Sequence, residues 1–207
     1  IDVRYLEQFP EFIAFRDASR TEGGAAVATE APPAKTTPEE AIELAHQGLR
    51  EQLAAELISR ILTCSPTFFE QLVVELLVKM GYGGSRRDAG ERIGQTGDGG
   101  IDGIIKEDRL GLDTIFIQAK RWQGAVGRPE IQKFVGALQG QRAKKGVFIT
   151  TSSYTADATD YASRIDTKVV LIDGKQLAGL MIDFDVGVAS AATYVVKRID
   201  SDYFEDA

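Results

Sequence analysis

Between residues 38 and 80 the apolar positions fall at helical intervals. Ile42, Ala45, Leu49, Leu53, Leu57 and Ile61 follow Thr37-Pro38-Glu39-Glu40, a capping box with proline at the first helical position, and predict a helix over about 38–62. Ser65-Pro66 repeats the cap-plus-proline start, and Phe69, Leu72, Val73, Leu76, Leu77 and Met80 form a second stripe ending at Gly81. Such a helix needs a sheet to pack on, and Glu70 sits at the edge of its stripe, where core meets solvent. Beyond Gly100 the period drops to two. Gly100-Ile101-Asp102-Gly103-Ile104-Ile105 and Thr114-Ile115-Phe116-Ile117-Gln118-Ala119-Lys120 read as strands. The polar, glycine-containing link at 106–113 predicts an antiparallel hairpin between them.

Later segments alternate. Arg128-Pro129-Glu130 opens a helix with Ile131, Phe134, Val135 and Leu138 inward; Gly146 to Thr151 is a buried strand; Ser153 to Ile165 a helix; Lys168 to Ile172 a strand; and Asp173 caps a helix through about Ile182. Hairpin strands first and alternating units later imply an α/β fold, with a mixed central sheet flanked by helices and an N-terminal helical extension. A short strand is expected near Ser85 to Asp88, in a stretch rich in Gly, Arg and Asp, and another at Tyr194 to Arg198 before an acidic tail. Residues 1–20 form a short aromatic segment, and Glu22 to Lys35, rich in Ala, Gly, Thr and Pro, reads as a linker. Four parts follow: 1–37 segment and linker, 38–64 connecting helix, 65–187 main domain, 188–207 strand and acidic tail. Ile1 is not an initiator methionine, so the chain is expected to begin inside a longer protein.

With 207 residues and 43% hydrophobic content the chain can bury a sizeable core. It has no apolar run long enough to span a membrane and no signal-peptide pattern, which makes the cytoplasm the expected compartment. One cysteine, Cys64, and one histidine, His46, exclude an internal disulfide and argue against zinc or Ser-His-Asp chemistry. The net charge is −7, yet Tyr82 to Thr150 carries twelve Lys/Arg against eight Asp/Glu. That stretch is the basic part of an acidic chain and suits contact with a polyanion.

Its chemistry-bearing residues are Asp102, Gln118 and Lys120. The hairpin puts Asp102 beside the second strand, and period two puts Gln118 and Lys120 on one face. A strand-borne carboxylate is an ordinary Mg2+ ligand, the Gln118 carbonyl adds a second hard oxygen, and main-chain carbonyls and water complete the shell. Lys120 can orient a water or offset charge on a phosphorane. This is the minimum kit for metal-assisted phosphodiester hydrolysis. No nucleotide-binding fingerprint fits the glycine-rich approach, where Asp98 reads either as a further acid or as a turn cap. Arg86, Arg87, Arg121 and Gln123 are candidate DNA contacts, Trp122 either a DNA contact or a core or rim aromatic, and Arg142, Lys144 and Lys145 either phosphate contacts or a solvated turn.

Taken in order, Phe69-Glu70, Gly97-Asp98-Gly99-Gly100-Ile101-Asp102-Gly103, Gln118-Ala119-Lys120-Arg121, Gly146-Val147-Phe148-Ile149-Thr150-Thr151 and Leu171-Ile172-Asp173-Gly174 resemble the Mrr-type restriction endonuclease domain. This is a Gln-x-Lys branch of the PD-(D/E)xK nuclease superfamily. The resemblance implies a restriction-endonuclease-like core and a Mg2+-dependent endonuclease, with Mn2+ as a possible substitute, directed at modified, typically methylated, double-stranded DNA. It further implies an upstream winged-helix DNA-binding domain and a homo-oligomer, dimer or tetramer. It makes Glu70 either a third metal ligand or a boundary glutamate paired with a lysine. Most of the superfamily carries an acid where this chain has Gln118, and a neutral amide holds Mg2+ less tightly. Two rival expectations are a catalytically silent DNA-binding or assembly module that keeps the fold, and a nuclease for DNA junctions or repair intermediates.

Overall fold

The computed structural model describes residues 36–83, 101–107 and 113–205. The expected strand near Ser85, and Arg86, Arg87 and Asp98 with it, lie outside the described residues, as do the N-terminal aromatic segment and linker. The chain divides into two compact units, Ile1–Ala45 and His46–Ala207. Of the first, the described part is a helix start: Thr37 Oγ1 accepts from the Glu40 N–H at 3.2 Å and Glu40 Oε2 from the Thr37 N–H at 2.8 Å, the expected capping box.

The second unit is an α/β layer structure. Helix α1 (Pro38–Thr63) runs into it and is followed by α2 (Pro66–Lys79), then β1 (Gly103–Lys106), β2 (Thr114–Lys120), α3 (Arg128–Gly140), β3 (Lys145–Thr150), α4 (Ala156–Arg164), β4 (Lys168–Ile172), α5 (Gly174–Asp183) and a short α6 (Asp202–Glu205). The strands form one sheet in the order β1-β2-β3-β4. β1 and β2 are the antiparallel hairpin the polar link predicts, with Gly103 opposite Ile117. β2, β3 and β4 are parallel, which places Lys120 beside Thr150 and Gln118 beside Phe148. The sheet is therefore mixed and flanked by helices, a restriction-endonuclease-like core. No helix among the described residues is long and apolar enough to cross a membrane.

Alternation along the strands builds two apolar layers. Ile115, Ile117, Ala119, Val147 and Ile149 join Phe69, Leu72, Val73, Leu76 and Leu77 of α2, Leu57 and Ile61 of α1, and Leu177 and Met181 of α5. On the opposite face Phe148 joins Ile131, Phe134, Val135 and Leu138 of α3 and Ala158 of α4. Phe148 meets Phe134 and Tyr154 edge to face, at 5.6 and 6.1 Å between ring centroids. The Tyr154 hydroxyl lies 2.6 Å from the Phe148 carbonyl oxygen, and burial holds its pKa well above the usual phenol value.

One expectation needs correction and one open reading narrows. The predicted α1 is present, and its stripe enters the core only at Leu57; Leu49, eight residues before Leu57, is 66% exposed. Helical periodicity gives a face, and only contact with another layer buries it. Tyr194 to Arg198 forms no strand: residues 188–201 belong to no helix or strand, and Tyr194 is 89% exposed. High β-propensity is realised only where a ladder partner exists. Arg142, Lys144 and Lys145 stand at the start of β3, the opposite end of the sheet from Lys120, because β2 and β3 run parallel. Lys145 ties down the hairpin instead, pairing with Asp113 at 2.8 Å and with Glu107, and these hydrogen bonds raise its pKa.

Gly146 fixes how closely α3 approaches the sheet, since a Cβ there would meet Leu138 and Phe134 side-chain atoms at 2.8 Å. Gly146→Ala is expected to destabilise the fold by about 1–3 kcal/mol through overpacking. Gly136→Ala, where a Cβ on α3 meets nothing within 4 Å, is expected to stabilise it by about 0.5–1 kcal/mol. Urea unfolding midpoints of the two variants check the pair, and a Gly146→Ala midpoint equal to wild type contradicts the packing.

Candidate active site

β1 parts from β2 at Asp102, and the parting is made with hydrogen bonds. The Asp102 N–H still donates to the Ile117 carbonyl at 2.8 Å, but the next donor on β2, the Ala119 N–H, is taken by the Asp102 carboxylate, Oδ2, at 2.8 Å. The side chain thus replaces a main-chain acceptor where the ladder opens, and a charge-assisted bond of this kind is short and firm. Asp102 wraps the backbone on either side of Gln118. Among the described residues its second oxygen, Oδ1, has no hydrogen-bond partner.

Gln118 is 4% exposed, and no hydrogen bond engages its side-chain amide among the described residues. Its amide is not among the buried polar atoms left without a partner, a state that among the described residues only Arg121 Nε shows. Lys120 closes β2, half-buried, with its carbonyl accepting from Thr150 Oγ1 at 2.9 Å and from the Thr151 N–H at 3.3 Å.

From α2, anchored by Ser65 accepting from the Phe68 N–H at 3.1 Å, comes Glu70. Its pKa is raised above the ordinary 4.5, first by desolvation, then by the negative charge of Asp102, while the Lys120 ammonium pulls it partly back. Glu70, Asp102 and Lys120 therefore feel one another, yet among the described residues none of the three forms an ion pair with another. Two carboxylates and an ammonium gathered without direct contact leave room between them for a third party that would satisfy all three. The Asp102 and Lys120 charges both act on Glu70, and among the described residues no lysine forms an ion pair with it.

The flanking candidates divide. Arg121 donates from Nη1 to the Leu62 carbonyl at the end of α1, and its Nε is buried without a partner. Its guanidinium is committed to a helix C-terminus, where a cation is favourable. Gln123 and Trp122 are exposed, Trp122 at the rim and not in the core. The Leu62 anchor is what sequence reasoning missed, because the partners lie 59 residues apart with no local pattern to join them. His46 is exposed, and Cys64 is a free thiol donating to the Arg60 carbonyl at 3.3 Å.

A mixed sheet with an acid at the opening of its hairpin and Gln-x-Lys at the end of the neighbouring strand defines a protein of the restriction-endonuclease fold. The family model Mrr_cat, described as a restriction endonuclease, matches residues 61–181. Over 172 residues the chain is 50% identical to the type IV methyl-directed restriction enzyme EcoKMrr of Escherichia coli (strain K12), a match covering 83% of this chain and 56% of that protein. The chain belongs to the Mrr-type restriction endonuclease catalytic family, and it spans just over half the length of this curated relative. Among solved structures, the DNA modification-dependent restriction endonuclease AspBHI is similar with a TM-score of 0.45 and 21% identity, covering 67% of this chain and 36% of that one. MspJI restriction endonuclease in complex with a 27-mer oligonucleotide is similar with a TM-score of 0.39 and 22% identity, covering 73% and 34%.

Because the folded state binds the Glu70 proton more tightly than the unfolded chain does, this residue costs stability as pH rises through and above 4.5. Glu70→Gln is accordingly expected to raise the thermal midpoint at about pH 7, in chelator, with the difference vanishing below about pH 4, where both states are protonated. Calorimetry at the two pH values checks this, and a lowered midpoint at neutral pH contradicts it.

Proposed function

We propose that this chain is the catalytic domain of a Mg2+-dependent endonuclease that hydrolyses phosphodiester bonds in modified, typically methylated, double-stranded DNA. The observation that carries the proposal is that the Asp102 carboxylate is pinned to the Ala119 N–H between Gln118 and Lys120, with the Asp102 and Lys120 charges both acting on Glu70. Family membership supports the reaction class, and the likeness to EcoKMrr, a methyl-directed restriction enzyme, supports the substrate class. The domain is residues 65–187, with 38–64 as a connecting helix.

The residues fit a hard divalent cation. Asp102 and Glu70 supply charge, the Gln118 carbonyl a neutral oxygen, and the electrostatic strain on Glu70 is relieved when positive charge enters. A Mg2+ ion held there supplies Lewis-acid polarisation of the phosphoryl oxygen and a water of lowered pKa. Asp102, with one oxygen pinned to the Ala119 N–H, keeps the other in a constant orientation toward the site. Lys120, held through its carbonyl at the end of β2, presents an ammonium that orients the attacking water and stabilises the charge growing on phosphorus. Two strands must be cut for restriction, so two copies act together; base recognition resides in an upstream DNA-binding domain, and the protein works in the cytoplasm.

Plasmid nicking with Mg2+ or EDTA, methylated and unmethylated, tests the reading. Asp102→Asn and Lys120→Ala are each expected to lower the rate by about 10²–10⁴-fold. Mg2+ is also expected to raise the thermal midpoint of the wild type and not that of Asp102→Asn. Wild-type rates in both variants, or an equal Mg2+ effect on both midpoints, contradict the assignment.

A further inference from the structure

The hydroxyls at the end of β3 are spent on a loop that carries no charge of its own beyond Arg121. Thr150 and Thr151 are buried, and Thr150 Oγ1 donates to the Lys120 carbonyl while Thr151 Oγ1 donates to the Trp122 carbonyl at 2.7 Å. Ser152 Oγ donates to the Gly124 carbonyl at 2.6 Å, and the Val126 N–H to the Ser153 carbonyl at 2.8 Å. The Trp122 N–H itself closes a tight turn on the Lys120 carbonyl at 3.0 Å. Residues 120–126 are thereby fixed at nearly every residue, and the Arg121 head is turned away to Leu62.

What this fixed loop displays is Trp122, 40% exposed two residues beyond Lys120. Its neighbours Gly124 and Ala125 offer no bulk, and a Cβ at Gly124 would meet nothing within 4 Å. The Lys120 end of β2 is thus bordered by an exposed aromatic ring on the loop that leaves it.

A nucleic-acid strand has both requirements in one repeat: a phosphate for the charges, and an apolar sugar face and base edge one bond set away. Aromatic side chains packing on a nucleic-acid strand add affinity without demanding a sequence. We infer that Trp122 is a DNA-contacting residue that packs on the sugar and base edge next to the scissile phosphate. The inference rests on the endonuclease reading above and adds to it the part of the substrate next to the reacting group. The threonines and Ser152 act through Trp122 as positioning residues, holding the ring where DNA meets it.

Trp122 is the single tryptophan of the chain, so its emission reports the contact directly. The full-length protein, with any tryptophan outside this chain replaced by phenylalanine, is titrated with a fluorescein-labelled methylated duplex in EDTA and in Mg2+, following anisotropy and tryptophan emission together. Emission is expected to be quenched or blue-shifted in step with the rise in anisotropy. In nicking assays Trp122→Ala is expected to raise KM by about five-fold or more with kcat little changed, and Trp122→Phe to recover most of the loss. Anisotropy that rises while emission stays constant, or an unaltered KM in Trp122→Ala, overturns the inference and leaves the endonuclease reading standing. An anisotropy that never rises overturns both.

Discussion

The hydrogen bond from the Ala119 N–H to the Asp102 carboxylate is the constraint on which the rest of the site depends. It closes the hairpin ladder with a side chain where a main-chain carbonyl would otherwise stand, so β1 and β2 stay paired through Gly103 and part beyond it. One acid is thereby fixed to the backbone that carries Gln118 and Lys120. Everything that follows is placement around that pin: the parallel partner β3 sets the end of β2 through Thr150 and Thr151, and α2 brings Glu70 from the helical layer. Without the pin, the carboxylate would be an ordinary residue at the mouth of a glycine turn.

Such a site is costly. Glu70 is desolvated and repelled by Asp102, and Lys120 offsets this without pairing. The two apolar layers that sandwich the sheet, with Phe69 and Leu76 on one face and Phe134 and Phe148 on the other, are what tolerate it.

Most of the fold was legible because it rests on local pattern. The capping box at Thr37, the Ser65 and Asp173 caps, the hairpin and the core faces of α2 and α3 are all set by residues within a few positions of one another. Asp102's place at the mouth of the hairpin was legible because Ile101 before it and Ile104-Ile105 after Gly103 mark the strand. What depended on distant partners was not. Arg121 reads as a free cation until Leu62 is seen to hold it, how much of the α1 stripe is buried depends on the layer it meets, and Tyr194 to Arg198 reads as a strand although no neighbour pairs with it. Trp122 lay between two readings for the same reason: the hydroxyls that present it belong to another strand.

The account stands on Glu70, Asp102 and Lys120 forming one electrostatic unit that accepts a divalent cation. Carbon-13 detected titration of the Glu70 side chain, in wild type and Asp102→Asn and with and without Mg2+, measures that unit directly. The predicted result is a Glu70 pKa above 4.5 that falls when the Asp102 charge is removed, with a resonance shift on adding Mg2+ that Asp102→Asn weakens. A Glu70 that titrates at its ordinary value and responds to neither Asp102 nor Mg2+ would contradict it.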